Sequence, residues 1–144
     1  MTIKILSAIR HTFKVYERLK REQHIHTLFL SGKAFSVFPL RVIYLILPHT
    51  GERKSPVMAG FSVPKKKFRS SVHRHRIRRL IVEAWRLNKH LLYAEVPEGH
   101  QLHLFFIYTD THFPEFTAMN NTVLACIKKL VPLVSVVKAI AVDE

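Results

Sequence analysis

Lysine and arginine side chains crowd into one segment of the chain, from Phe61 to His90. The segment contains ten of the 23 lysines and arginines of the protein but only one acid, Glu83. Guanidinium groups offer forked hydrogen-bond donors that match phosphate oxygens. The segment therefore predicts a surface that binds a polyanion. Its basic residues are Lys65, Lys66, Lys67, Arg69, Arg74, Arg76, Arg78, Arg79, Arg86 and Lys89.

An amphipathic helix is predicted to hold most of these side chains. Ser70 or Ser71 can cap its start by accepting a bond from an unpaired backbone N–H, and the pattern extends to about Leu92. Apolar residues recur at steps of three and four and predict one buried face. These residues, with one asparagine, are Ile77, Leu80, Ile81, Ala84, Trp85 and Asn88.

Four arginines lie within about two turns of the helix start. Arg74 and Arg78 are one turn apart, as are Arg76 and Arg79, so their guanidinium groups gather in one region. The unpaired N–H groups and the dipole of a helix make the same end attractive to phosphate.

The excess of positive charge extends over the whole chain. Its 144 residues carry a formal net charge of +13 and 48% are hydrophobic, which fits one domain with a core and excludes a disordered basic tail. Nucleic acid and an anionic membrane surface are the partners that such charge predicts. A solvated basic face without a partner is a further alternative.

A helix lying on a membrane would need the apolar face that Trp85 and its neighbours turn to the core. Residues 123–142 are apolar, but Lys128, Lys129 and Pro132 interrupt them, so we expect a cytoplasmic protein with no membrane partner.

Other residues that could do chemistry form no set. Two His-x-His pairs, His24 with His26 and His73 with His75, lack nearby thiolate or carboxylate partners, which argues against a zinc site. The acidic residues are scattered, so no pair indicates general acid–base catalysis. Cys126 is the single cysteine and is expected to be a small buried residue. We predict no catalytic residue and no metal site.

The remaining pattern predicts a two-layer α+β sandwich with the element order α-β-β-β-α-β-α. We expect residues 1–12 to form a loose leader, residues 13–131 one domain and residues 132–144 a tail, with Pro132 breaking or kinking the last helix. The predicted elements are a helix over 17–31, strands over 34–38, 40–47 and 57–63, the basic helix to about residue 92, a strand over 102–108 and a helix from residue 114 to about residue 130.

The basic segment also resembles the signature of a known family, the ribonuclease P protein family. That signature is a strand, a Lys-Lys pair, a short spacer and then Arg-Asn-Arg-x-Lys-Arg leading a helix; here it reads FSVPKKKFRSSVHRHRIRRLIVEAWRLNK. The matching positions are Lys66 and Lys67 for the pair, Arg74, Arg76 and Arg79 for the arginines, and Arg78 for the lysine. RLKREQHIHTLFLSGK is similar to the family's first helix, and VIYLILP to its second strand. The resemblance covers about residues 13–130.

Four positions depart from the family pattern. His75 stands in place of the asparagine between the arginines, Ile25 in place of an aromatic residue in the first helix, Arg69 in place of a spacer glycine, and Val82 in place of a further basic residue. The imidazole of His75 can still donate to RNA, whereas Ile25 keeps an apolar contact but cannot stack on a base.

The resemblance implies a fold, a reaction and a set of partners. The fold is a four-stranded sheet with three helices and a left-handed β-α-β crossover, like domain 2 of ribosomal protein S5, against the usual right-handed preference. The chain would be a subunit of an endoribonuclease whose catalytic RNA, with Mg²⁺ held mainly by RNA and substrate, removes the 5′ leader of precursor tRNA. No obligate protein partner is implied.

The resemblance also assigns roles to particular residues. Those implied to contact RNA are Lys65, Lys66, Lys67, Arg74, His75, Arg76, Arg78 and Arg79. Those implied to line the leader cleft are Phe29, Tyr44 and Ser62. Core packing stays open for Phe29 and Tyr44, because strand alternation puts Tyr44 on one face with Val42 and Ile46, which is either core or cleft. Two rival functions also stay open: a standalone RNA-binding module of unrelated fold, and a nuclease that uses its histidines.

Overall fold

The computed structural model describes the backbone of residues 12–143 and the side chains of residues 12–136. The element order is the predicted one with a 3-10 turn and one short helix added. The predicted leader lies outside the described residues except for its last residue. The elements are a 3-10 turn (Val15–Glu17), α1 (Glu22–Ser31), β1 (Lys33–Val37), β2 (Leu40–Pro48), β3 (Val57–Ser62), α2 (Ser71–Asn88), α3 (His90–Tyr93), β4 (His100–Tyr108) and α4 (Phe116–Asp143).

The four strands form one sheet in the order β1-β2-β4-β3. β1 pairs with β2 and β2 with β4 in antiparallel fashion, whereas β3 runs parallel to β4. A parallel pair needs a long crossover connection, and α2 with α3 supplies it. The predicted α+β fold with a four-stranded sheet is thus confirmed, while the left hand of the crossover stays a prediction.

The two faces of the sheet differ in how they are covered. α2 and α4 pack on one face, which we call the helix face, over the main core cluster of Leu104, Phe106 and their neighbours. Trp85 is fully buried there, with its ring centroid 5.5 Å from that of Phe106, as its place on the apolar stripe predicts. On the opposite face, which we call the open face, α1 is the only helix among the described residues that packs over a smaller cluster of Leu19, Leu28 and Ile43.

The first helix begins later than the sequence pattern predicts. The helix was expected to start at Glu17, but Glu17 ends the 3-10 turn and α1 starts at Glu22. The residues between them run along the edge of β3: the Leu19 N–H donates to the Ala59 carbonyl at 3.0 Å, and Arg18 forms a parallel bridge with Ala59. Pairing with the sheet edge outweighs the helical spacing of the segment.

The last helix extends further than predicted. α4 continues through Pro132 to Asp143, although it was expected to end near Leu130. Leu130 and Val134 are both fully buried on either side of the proline, so core packing favours helix on both sides of it. Pro132 itself is exposed, so water can bond the carbonyl that lacks an N–H partner. The division into domain and tail at residue 131 stays a prediction.

Candidate nucleic-acid interface

The start of α2 presents its arginines to solvent. Ser70 is the cap, with its hydroxyl accepting from the His73 N–H at 3.5 Å. The inner face of the helix is buried through Ile77, Ile81, Ala84 and Trp85. Because these residues point to the core, the arginines of the first two turns must project away from it. Arg76, Arg78 and Arg79 are exposed and Arg74 is half-buried.

Arg74 fixes the basic loop that precedes the helix. Its Nη1 donates to the carbonyls of Phe68 and Arg69, at 2.8 Å each. The loop itself turns at Pro64, whose carbonyl accepts from the Lys67 N–H at 3.1 Å. The side chains of residues 65–67 are all exposed. The three predicted lysines are therefore held beside the arginines of α2, and together they form one basic surface.

The arginines line recesses on two sides of α2. A recess of about 270 Å³ joins the end of β3 to the helix start and brings four of the predicted site residues together. Its polar lining includes Ser62, Arg74, His75 and Arg78. A second recess of about 350 Å³ lies on the other side of the helix, lined by Arg76, Arg79, Leu80, Glu83 and Phe113. The spacing of the arginines along the sequence predicts that they cluster, but not that they divide between recesses on two sides of the helix.

The positive charge of this surface is not neutralised within the described part of the chain. Glu83, the one acid of the segment, bonds Arg86 through Nε at 3.0 Å and Nη2 at 2.5 Å. This hydrogen bond with Arg86 lowers the pKa of Glu83. No ion pair joins Arg76, Arg78 or Arg79 to a carboxylate among the described residues. Three exposed cations thus remain available to phosphate.

The open face carries a second candidate surface beside α1. Phe29 is 47% exposed and meets Phe105 of β4 edge-on, with ring centroids 5.2 Å apart. Gly60 lies opposite Phe105 in the sheet, and a Cβ there would approach the Phe105 ring to 2.6 Å. The glycine therefore lets the ring lie over β3. A half-exposed pair of aromatic rings is suited to stacking on unpaired bases.

A third recess, of about 170 Å³, connects the two surfaces. It shares Phe61 and Arg78 with the recess that contains Ser62. Its other lining residues include Arg18, Lys20, Ile25, Gly60 and Phe105. A continuous strip, which we call the open-face strip, thus runs from Phe29 and Phe105 past Arg78 to Ser62.

Tyr44 lies on the other side of the sheet. It pairs in register with Leu104, which is fully buried in the core beneath α2 and α4. Its ring packs against Phe35, with centroids 5.9 Å apart. The strand face that carries Tyr44, which alternation could not assign to core or cleft, is therefore core, and the sheet separates Tyr44 from Phe29. The two residues that were expected in one cleft are not brought together.

Two aromatic residues at these surfaces were missed by sequence reasoning. Phe105 sits in the uninterrupted apolar run Leu104–Tyr108 of β4, so an alternation of polar and apolar residues does not mark it. Phe113 lies in the loop after β4 and approaches α2 only through the tertiary fold. Arg18 and Lys20 were predicted to lie in a helix, although they follow the sheet edge.

The remaining chemical candidates lie apart from these recesses or lack the partners that a site requires. No group of three or more His, Cys, Asp or Glu side chains that could hold a metal occurs within residues 12–136. The His24 ring packs on that of His103 at 5.1 Å, and His73 lies edge-on to Phe113 at 6.3 Å. Cys126 is buried, which raises its pKa to about 12. Across the described residues, no helix is long and apolar enough to cross a membrane.

Comparison with known proteins identifies the class to which this fold and these surfaces belong. The sequence model of the Ribonuclease P family matches residues 13–131. The ribonuclease P protein component of Porphyromonas gingivalis is 39% identical over 107 residues, which cover 73% of this chain and 76% of the relative. That of Clostridium kluyveri is 35% identical over 112 residues, covering 78% and 92%.

Solved structures share the fold at lower identity. The ribonuclease P protein of Staphylococcus aureus superposes with a TM-score of 0.61 at 18% identity, covering 84% of this chain and 99% of the other. The protein from Thermotoga maritima gives 0.60 at 19% identity, covering 78% and 96%.

This chain belongs to the ribonuclease P protein family. It is accordingly a protein subunit of a ribonucleoprotein endoribonuclease, and binding RNA and processing tRNA are the functions that follow from membership.

Proposed function

We propose that the two surfaces divide the work of the subunit. The basic surface of α2 and the lysine loop binds the catalytic RNA, and the open-face strip binds the single-stranded 5′ leader of precursor tRNA. The observation that carries this proposal is that unpaired cations and half-exposed aromatic rings occupy separate but adjoining surfaces. A folded RNA presents dense phosphates, whereas a leader presents unpaired bases as well.

The basic surface suits a structured RNA. Arg76, Arg78 and Arg79 have no carboxylate partner among the described residues, so contact with phosphate would break no existing ion pair. Arg74 donates to the loop carbonyls and positions Lys65, Lys66 and Lys67 instead. Contacts with phosphate supply affinity and position the protein on the RNA, but they do not distinguish one base sequence from another.

The open-face strip suits a flexible strand. Phe29 and Phe105 offer aromatic faces, on which any base can stack, and Arg18, Lys20 and Arg78 follow as cations for the backbone. Ser62 lies at the far end, where the strip meets the recess of Arg74 and His75. Tyr44, on the helix face, is left out of this surface.

The protein contributes binding rather than hydrolysis in this proposal. As membership of the family implies, we assign Mg²⁺ to the catalytic RNA and the substrate and route no step through the protein. By holding the leader beside the bound RNA, the chain raises the local concentration of the scissile bond.

Reconstitution tests the assignment as a subunit. Purified protein should give no cleavage of precursor tRNA in Mg²⁺ on its own, and should improve cleavage by its cognate catalytic RNA at moderate salt. Cleavage by the protein alone would favour an independent nuclease, and unchanged RNA activity would favour an unrelated RNA-binding module.

Two sets of variants test the division of surfaces. Arg76 and Arg79 replaced together by Ala should weaken binding to the catalytic RNA and reduce its salt slope by roughly one for each lost phosphate contact. The matched control replaces Lys54 and Lys128, both exposed, by Ala and so removes the same charge elsewhere on the surface. An unchanged salt slope in the folded Arg76/Arg79 variant would contradict the assignment.

The leader surface is tested at Phe29. In the holoenzyme, Phe29→Ala should weaken binding of precursor tRNA bearing a leader by roughly 5- to 150-fold, the equivalent of one lost stack of about 1–3 kcal/mol. Affinity for mature tRNA should not change. Leu30→Ala, on the same helix and also exposed, is the control. Equal losses for both substrates would remove Phe29 from the leader surface.

A further inference from the structure

Phe113 forms an exposed aromatic platform on the side of α2 that faces away from the open-face strip. Its ring is 45% exposed, and the Arg76 guanidinium lies over it with Cζ 5.2 Å from the ring centroid. It borders the 350 Å³ recess with Arg79, Leu80 and Glu83. An exposed aromatic ring beside cations is an arrangement on which an unpaired base can stack.

The loop that carries Phe113 is held in place before any ligand binds. The Tyr108 hydroxyl donates to the His112 carbonyl at 2.6 Å, and both the backbone N–H and the hydroxyl of Thr109 donate to the Pro39 carbonyl, at 2.8 and 3.0 Å. Asp110 accepts from the Thr111 N–H at 2.7 Å. The backbone that leads to Phe113 is therefore already ordered, so less conformational entropy is lost on binding than with a flexible loop.

The charges in the recess favour an anionic aromatic ligand. Arg76 and Arg79 have no ion-pair partner within residues 12–136, and the only carboxylate that lines the recess, Glu83, is bonded to Arg86. The recess thus combines an aromatic ring, an aliphatic floor at Leu80 and two cations that have no ion-pair partner among the described residues. A base would stack on the ring while its phosphate meets a guanidinium.

We propose that Phe113, Arg76 and Arg79 form a nucleotide-binding subsite that stacks one unpaired nucleotide of RNA. The inference rests on the proposed function, since it assumes that α2 faces RNA, and it adds a base contact to a surface otherwise assigned to phosphate binding. The nucleotide can come from the catalytic RNA or from precursor tRNA, because both offer the same chemistry.

The central test compares the ring with the cations. Phe113→Leu keeps an apolar side chain and removes the aromatic face, so it should weaken RNA binding about 10-fold, which corresponds to about 1.4 kcal/mol. Because the lost contact is uncharged, the salt slope should stay that of the wild type, whereas Arg79→Gln should flatten it. Tyr16→Leu, at an aromatic residue of equal exposure that lines none of the three recesses described above, is the matched control and should change neither quantity.

Binding is measured in two arms that separate the sources of the nucleotide. A loss in affinity of the protein for its cognate catalytic RNA assigns the nucleotide to that RNA. A loss confined to affinity of the holoenzyme for precursor tRNA assigns it to the substrate. Unchanged affinity in both arms overturns the subsite, as does a flattened salt slope in Phe113→Leu, which would mean that the ring only positions Arg76.

A spectroscopic readout is independent of affinity. Phe113→Trp places an indole on the surface while Trp85, the only native tryptophan, stays buried. RNA should quench the added emission strongly, and should leave that of Tyr16→Trp unchanged. Equal quenching of both overturns stacking at Phe113. Failure of the proposed function can be told apart from failure of the subsite. If α2 does not face RNA at all, Arg78→Ala also leaves RNA affinity unchanged, whereas if only the subsite is wrong, Arg78→Ala still weakens RNA binding.

Discussion

Replacing Glu17 with glutamine removes one charge from an ion pair buried between the N-terminal segment and the end of α2. The side chains of Lys89 and Glu17 are only 5% and 6% exposed, and Lys89 Nζ donates to both Glu17 Oε1 and the Thr12 carbonyl. Tyr93 also donates to Glu17, at 2.7 Å, and the Lys14 N–H does so at 2.5 Å. Burial alone would raise the pKa of Glu17, but the bonds from Lys14, Lys89 and Tyr93 outweigh it and lower the pKa.

The expected loss follows from what remains after the substitution. A glutamine side chain would fill the same volume, but the Lys89 ammonium would stay buried without a counter-charge, and breaking a buried pair in this way costs about 3–5 kcal/mol. For a chain of this length, each kcal/mol lowers the melting temperature by about 2–4 °C, so a fall of about 10 °C is expected. Replacing Lys89 by Met in the same chain should restore part of the loss, because the unpaired charge is then gone.

Urea unfolding of Glu17→Gln, Lys89→Met and the double variant measures this coupling at pH 7. The exposed pair Glu83–Arg86, with side chains 46% and 32% exposed, provides the control, since Glu83→Gln should cost only about 0–1 kcal/mol. A loss below about 1 kcal/mol for Glu17→Gln, equal to that of the surface pair, would refute the reasoning that burial makes this pair costly to break.

Substitutions at three further residues have defined outcomes. Trp85→Ala should lower the free energy of unfolding by about 3–5 kcal/mol in urea titrations, whereas Trp85→Phe should cost less, because the buried indole N–H has no hydrogen-bond partner among the described residues. Tyr44→Ala should destabilise the fold by about 1–3 kcal/mol and impair leader-bearing and leaderless substrates alike; a loss confined to the former would return Tyr44 to the leader surface. Burial first, then the charges of His24 and His49, lowers the pKa of His103 to about 4 from 6.5. As the pH falls, the unfolded chain takes up this proton before the folded chain does. The contribution of neutral His103 to the free energy of unfolding should therefore be fully present above about pH 6.5 and be lost towards pH 4, by up to about 3 kcal/mol. His103→Gln should remove that decline in unfolding titrations.

The sequence predicted the four strands, the helix that carries the arginines and the buried face of Trp85, because each depends on local periodicity. It misplaced the start of α1, since Leu19 bonds to the edge of β3, and no local pattern reports pairing with a distant strand. The same limit applies to Tyr44. Alternation fixes its face relative to Val42 but not which face the helices cover, and that depends on how α2 and α4 return to the sheet.

The four arginines of α2 show why motif spacing underdetermines a binding surface. Helical spacing states on which face of the helix each side chain lies, and in that respect Arg74 and Arg78 are equivalent. In the fold, Arg74 gives its donors to the carbonyls of Phe68 and Arg69, whereas Arg78 keeps its own free of described partners and lines two recesses at once. The path of the loop after β3 decides this difference, because only there do two carbonyls come within reach of one guanidinium. The surface that we propose to face RNA is thus assembled from strand, loop and helix together, and identical residues within one motif acquire different surroundings.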